Sequence, residues 1–144
     1  MSNSRQHTTV VWREGMSLDA TTTTGHHIRL DAASERGPRP NELMLTALAG
    51  CTAMDVLSIL QKKREPVAGL EVSVAGTRAD EHPRIYTDVQ VVYRVRGNVR
   101  PESVARAIEL SETRYCSAHA LLSKSARITS RFEIEAAPPE MALA

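Results

Sequence analysis

The hydrophobic positions of this chain change period several times, and each change marks an element. Residues 8 to 14 (Thr8-Thr-Val-Val-Trp12-Arg-Glu14) are rich in β-branched and aromatic side chains. Gly15 interrupts them, Ser17 to Thr24 continues with threonines, and Gly25 turns the chain into His26 to Asp31. This predicts a meander of three short strands. From Leu43 to Leu60 the alternation disappears and the chain is apolar almost throughout, with Asp55 as its one charge. The Gly37-Pro-Arg-Pro40 segment suits a helix start, and Lys62-Lys-Arg64 followed by Pro66 suits a helix end. A helix is therefore predicted over 41–63, either continuous or in two pieces joined at Gly50. Period two returns at residues 67 to 79 (Leu70, Val72, Val74) and 84 to 96 (Val89, Val91, Tyr93, Val95), bridged by Asp80-Glu-His-Pro83 as a long hairpin. Pro101-Glu102 opens a helix with Val104, Ala107, Ile108 and Ser111 on one side, Cys116 to Ala126 reads as a second helical piece, and Arg127 to Glu135 as a last strand. The tail from Ala136 to Ala144 is expected to fray.

The apolar run raises a question that the strands do not. It is a little short for a membrane span, it holds Thr46, Gly50, Thr52 and Ser58, and the rest of the chain reads as soluble. A helix apolar nearly all round must then be covered by protein on every side, which two small sheets from one short chain can hardly do. A homodimer in which each subunit helps wrap the other's helix is the expected solution.

Length and charge narrow the field. At 144 residues the chain is expected to be one domain, ordered over about residues 8–136. A net charge of +1 from 18 basic and 17 acidic residues leaves no electrostatic footprint for nucleic acid. The start, Met1-Ser-Asn-Ser-Arg-Gln-His7, carries no secretory pattern, and two cysteines are too few for a disulfide framework. A cytoplasmic location is expected, where a disulfide between Cys51 and Cys116 would be transient.

The cysteines carry the candidate chemistry. Cys51 follows Gly50, where a helix start would place its dipole behind a thiolate. Cys116 has His119 one helical turn on. Spacing alone also fits two small buried hydrophobes. No CxxC or HExxH spacing supports a metal site, although Cys116, His119 and His26-His27 contain the right atoms. A Cys51 and His119 couple for acyl transfer would need an oxyanion hole that a sequence does not display.

The strand order, the proline-led apolar helix with its cysteine in Gly37-Pro-Arg-Pro-Asn-Glu-Leu-Met-Leu-Thr-Ala-Leu-Ala-Gly-Cys51, and a second cysteine just after an amphipathic helix resemble the OsmC/Ohr superfamily of thiol-dependent peroxidases. Within it the chain is most similar to the YhfA-like branch, through Cys51-Thr-Ala-Met-Asp-Val-Leu-Ser-Ile-Leu-Gln-Lys62, His82-Pro-Arg-Ile-Tyr-Thr87 and the stretch from Val104 to Lys124. The resemblance implies an α+β fold, with antiparallel sheets wrapped around a long buried central helix in an intertwined homodimer and active sites at the subunit interface. It implies that Cys51 attacks an organic hydroperoxide, or hydrogen peroxide, to give a sulfenic acid. Cys116 would then resolve it to a disulfide, which an external dithiol, a lipoylated protein in Ohr-type members, reduces. No bound cofactor is implied. The non-enzymatic alternative is an OsmC-like protein that binds a hydrophobic ligand or senses redox state.

Departures from the family pattern concern the groups that serve the thiolate. Asn41 stands where characterised members carry a glutamate, and Glu42 comes one position later. On a continuous helix Glu42 would point away from Cys51 and lie about 13 Å from it along the axis. A break at Gly50 or a contribution across a dimer interface would restore it to the site. Otherwise it is a carboxylate favoured by the helix N-terminus. The family also uses an arginine whose guanidinium holds the thiolate and the peroxide. Arg29 falls on that position once a loop insertion is allowed, and Arg13 is the alternative. Asp55, one turn after Cys51, is a negative charge that opposes a thiolate unless another group neutralises it. Met44, Leu48, Met54 and Leu57 make an apolar surround suited to an alkyl or lipid hydroperoxide.

Overall fold

A computed structural model describes residues 4–136. The expected fraying at 137–144 lies outside the described residues. The described chain divides into two compact units, with the boundary between Met44 and Leu45, inside the stretch expected as one domain.

The first unit is the predicted meander. Strands β1 (Thr8–Glu14), β2 (Ser17–Thr22) and β3 (His27–Asp31) pair antiparallel in the order β1-β2-β3. Gly15 and Gly25 both take positive φ at the two turns, which a residue with a Cβ adopts only at a cost. The register sets Asp19 directly opposite Arg29 and opposite Val11, two residues from Arg13.

Helix α1 (Pro40–Lys62) runs from one unit into the other without a break. Gly50 does not divide it, so the two-piece alternative is not realised. Its start is fastened by Glu42, whose Oε2 accepts the Arg39 N–H at 2.8 Å. Its end is a Schellman turn: the Glu65 N–H donates to Leu60 O at 3.0 Å, the Arg64 N–H donates to Gln61 O at 2.9 Å, and Arg64 takes φ 60. One stripe of the helix, Leu48, Thr52, Val56 and Leu60, is buried. Met44 and Met54 remain 53% and 75% exposed. The single chain thus covers one face of a helix that composition predicted to be covered all round. By length and a mean hydropathy of 1.8, α1 would pass for a membrane span. Its buried Thr52, hydrogen-bonded inside the second unit, marks it as a core helix instead.

The second unit packs that stripe against a three-stranded sheet, β4 (Val67–Arg78), β5 (Tyr86–Gly97) and β6 (Arg127–Glu135). Strand β5 is central, and its alternating Val89, Val91, Tyr93 and Val95 are all buried. They form the core with Leu48, Val56, Leu60, Val104 and Ala107. The hairpin β4-β5 is antiparallel as expected, but β6 lies parallel to β5, in register from Asp88 opposite Arg127 to Arg96 opposite Glu135. The sheet is therefore mixed, not antiparallel. The helical connection between β5 and β6 returns the chain to the same end of the sheet, as parallel pairing requires.

That connection holds α2 (Pro101–Leu110), a π-helical turn (Ser111–Tyr115) and the short α3 (Ser117–Leu122). Glu65, a carboxylate almost wholly buried just past α1, anchors the start of α2. It accepts from the Arg100 N–H at 3.3 Å, Arg100 Nε at 2.8 Å and Ser103 Oγ at 2.5 Å. These donors, Ser103 first, hold its carboxyl below the usual carboxylate range.

Candidate active site

The sulfur atoms of Cys51 and Cys116 and a carboxylate oxygen of Asp55 lie within 4.8 Å of one another. The three come from two elements. Cys51 and Asp55 are one turn apart on α1, and Cys116 stands where the π turn ends and α3 begins. The π turn inserts one extra residue after α2, so that the Cys116 N–H donates to Ser111 O at 2.8 Å and the thiol is set beside α1. Both cysteines are free, Cys51 half-buried and Cys116 only 3% exposed.

The surroundings make the two thiols unequal. Burial, and secondly the hydrogen bond to Cys51, push the Cys116 thiol up to about 11. Cys116 is thus a protonated donor toward Cys51 at neutral pH. Its sulfur accepts the His119 backbone N–H at 3.3 Å and so caps α3. His119 contributes that amide to the site. Cys51 does not sit at a helix N-terminus, because α1 begins at Pro40. The helix-dipole activation expected of it is therefore not available.

A buried set of hydroxyls lies behind the sulfurs. Ser111 Oγ donates to Asp55 Oδ2 at 2.9 Å, Thr52 Oγ1 is 2.9 Å from Ser111 Oγ and 2.8 Å from Tyr93 Oη, and Tyr93 donates to Glu112 Oε2 at 3.0 Å. Burial pushes the Tyr93 phenol above its ordinary value. Thr52, Tyr93, Ser111 and Glu112 were not read from the sequence as site residues. The one available signal is a run of polar side chains on otherwise apolar faces, at Thr52, Asp55 and Ser111.

The other expected residues lie in the first unit. Arg29 Nε pairs with Asp19 Oδ1 at 2.5 Å and Arg13 Nε with Asp19 Oδ2 at 2.8 Å, so one carboxylate on β2 holds both candidate arginines, on the two strands that flank it. Arg13 first and Arg29 next keep the Asp19 carboxyl below its usual value. Gly37 packs so closely on the Arg29 carbonyl that a side chain there would collide with it. Glu42 takes the capping role described above, and the break at Gly50 that would turn it toward Cys51 is not formed.

Two thiols and a carboxylate supply fewer ligands than a closed zinc site uses. The arrangement suits a dithiol that closes to a disulfide. A cleft of about 350 Å³ opens at Asp55, lined also by Ser58, Ile59, Lys62, Lys63, Leu110 and Tyr115. A larger cleft of about 590 Å³, between residues 5–8 and 22–24, shares no residue with the cysteine site.

The sequence profile described as OsmC-like protein matches residues 32–131, a span that includes both cysteines. The chain belongs to the OsmC-like protein family. It is 39% identical over 130 residues to Protein YhfA of Escherichia coli (strain K12), covering 89% of this chain and 97% of that protein. A hypothetical protein from Aquifex aeolicus VF5 superposes with a TM-score of 0.87 at 26% identity, covering 94% of this chain and 100% of that one. The organic hydroperoxide resistance protein OhrB of Bacillus subtilis shares the fold, with a TM-score of 0.62 at 15% identity over 90% of this chain and 98% of its own.

Proposed function

We propose that this chain is a thiol-dependent peroxidase that reduces organic hydroperoxides in a reducing, cytoplasmic setting. Cys51 attacks and Cys116 resolves. The observation that carries the reading is the meeting of two free thiols of unequal character, a half-buried Cys51 and a buried, protonated Cys116, within 4.8 Å of each other. The Cys51 sulfur takes the distal oxygen of the hydroperoxide, the O–O bond breaks, and the alkoxide leaves as an alcohol after gaining a proton. Cys116 then displaces the sulfenic oxygen as water, giving a disulfide that an external dithiol, such as a lipoyl group, reduces by exchange. Partly apolar cleft walls, Ile59, Leu110 and Tyr115, favour an alkyl-bearing peroxide over hydrogen peroxide.

The working unit of this proposal is a homodimer, since the exposed Met44 and Met54 face of α1 needs cover. In it Arg29 serves the Cys51 thiolate in exchange for Asp19, and Glu42 remains a helix cap. Intact-protein mass spectrometry after one equivalent of cumene hydroperoxide tests the chemistry. A loss of two hydrogens that maps to a Cys51–Cys116 link is expected, and the same mass before and after treatment would overturn the reading.

A further inference from the structure

The hydroxyls behind the cysteines form one continuous chain of contacts: Asp55, Ser111, Thr52, Tyr93, Glu112. Its three middle members are fully buried, while Glu112 is half-buried and its second oxygen accepts from Ser130 Oγ at 3.1 Å. The chain therefore leads from the carboxylate beside the sulfurs to a carboxylate near the surface. Disulfide closure alone gives it no task.

Its hydrogens do not match its links. There are four links between the five side chains, and each of the three hydroxyls carries one hydrogen. With both carboxylates ionised, Ser111 donates to Asp55 and Tyr93 to Glu112. Thr52 then has one hydrogen for two oxygen neighbours at 2.8 and 2.9 Å. One close oxygen–oxygen contact has no hydrogen in it. A single added proton completes the set, and it does so at either end. On Asp55 it turns every hydroxyl toward Glu112, and on Glu112 it turns every hydroxyl toward Asp55. Passing from one arrangement to the other moves one proton between the carboxylates while no heavy atom moves. A network whose only task was to fasten α1 to β5 would be expected to hold as many hydrogens as links.

We propose that Asp55, Ser111, Thr52, Tyr93 and Glu112 are a proton relay for the cysteine pair, with Asp55 taking the Cys116 proton as that sulfur attacks a Cys51 that carries a leaving group. The Cys116 S–H bond breaks and its proton goes to Asp55. The electron pair left on sulfur forms the S–S bond, and the bond from Cys51 to its leaving group breaks, the leaving group departing with that pair. When Cys51 is a sulfenic acid, the departing hydroxide takes the proton back from Asp55 and leaves as water. When the leaving group is a stable thiolate, the proton exits through the hydroxyls to Glu112 and solvent. The inference takes its cysteine roles from the peroxidase reading, but the relay needs only a loaded Cys51.

An aromatic disulfide separates the two. Reaction with dithiobis(nitrobenzoate) releases one coloured thiolate when Cys51 attacks and a second when Cys116 closes the protein disulfide, without any peroxide. Peroxidase failure would show in the cumene hydroperoxide experiment and leave this one intact. Read as its own first-order rate once Cys51 is loaded, the second phase should slow by about 10²–10⁴-fold in Asp55→Asn, the usual contribution of a positioned base. Thr52→Val, which keeps Asp55 but cuts its outlet, should slow it by less than Asp55→Asn does, and Thr52→Ser should restore it. The wild-type second phase should be slower in deuterated water, and Thr52→Val should lose part of that sensitivity. A second phase as fast in Asp55→Asn as in the wild type, or Thr52→Val indistinguishable from Thr52→Ser in both rate and isotope sensitivity, would overturn the relay.

Discussion

Replacing Tyr93 by phenylalanine tests the hydrogen count directly, because it removes one buried oxygen and leaves the ring in the core. Counting contacts, the variant loses two hydrogen bonds, to Thr52 at 2.8 Å and Glu112 at 3.0 Å, and strands a buried threonine. At about 1–3 kcal/mol for each abandoned partner, that accounting gives a loss of roughly 2–6 kcal/mol. Counting hydrogens gives a smaller value. In the wild type three hydrogens satisfy three of four links; in the variant Thr52 donates to Ser111 and Ser111 to Asp55, so both remaining links are filled. Only the bond to Glu112 is lost, and that half-buried carboxylate keeps Ser130 and gains water. The expected cost is about 1–2 kcal/mol, the lower end for a bond to a charged acceptor. Urea unfolding at neutral pH and fixed protein concentration measures it, read as a midpoint shift at constant slope. A loss above about 3 kcal/mol would mean that all four links already hold hydrogens, and the argument from a missing proton would fail.

Iodoacetamide at neutral pH should label Cys51 well before Cys116, because a thiol pushed up to about 11 is almost wholly protonated there; peptide mapping that finds Cys116 labelled first would reverse the assigned roles. The raised Cys116 value also predicts a stability contribution that is present below the ordinary thiol range and is lost as pH rises through about 11, and Cys116→Ala should flatten that alkaline decline in thermal melts. Glu65 has the opposite sign: its depressed carboxyl stabilises the fold above the ordinary carboxylate range, and the stability is lost as pH falls through its lowered value. Glu65→Gln should accordingly weaken the protein at neutral pH and remove part of its acid sensitivity, and an acid profile unchanged from wild type would refute this. Leu48→Ala in the buried stripe of α1 should cost about 2–5 kcal/mol in urea unfolding, whereas the same truncation at exposed Met54 should cost far less in any state that leaves it uncovered.

Period and punctuation determined much of this protein. The β4-β5 alternation, the proline-led apolar helix and the three-strand meander are local patterns, in which each side chain's face follows from the backbone repeat. They were legible for that reason, as were Cys51 and Cys116 once their setting resembled a known family. The direction of β6 was not, because a period of two is the same for parallel and antiparallel neighbours and only the helical return over α2 and α3 decides between them. Gly50 looked like a break, yet its cost of about 1 kcal/mol in a helix is smaller than the packing of Leu48, Thr52 and Val56 around it. Asp19 drew no notice in the sequence, although the strand register places it between both candidate arginines. The relay was least visible of all. Thr52, Tyr93 and Ser111 are ordinary residues in three distant segments, and they become one chain of oxygens only because α1 packs on β5 and one extra residue in the π turn aims Ser111 at Asp55. Sequence fixes which atoms can donate and accept; hydrogen bonds act over about 3 Å, so only tertiary packing decides which of them meet.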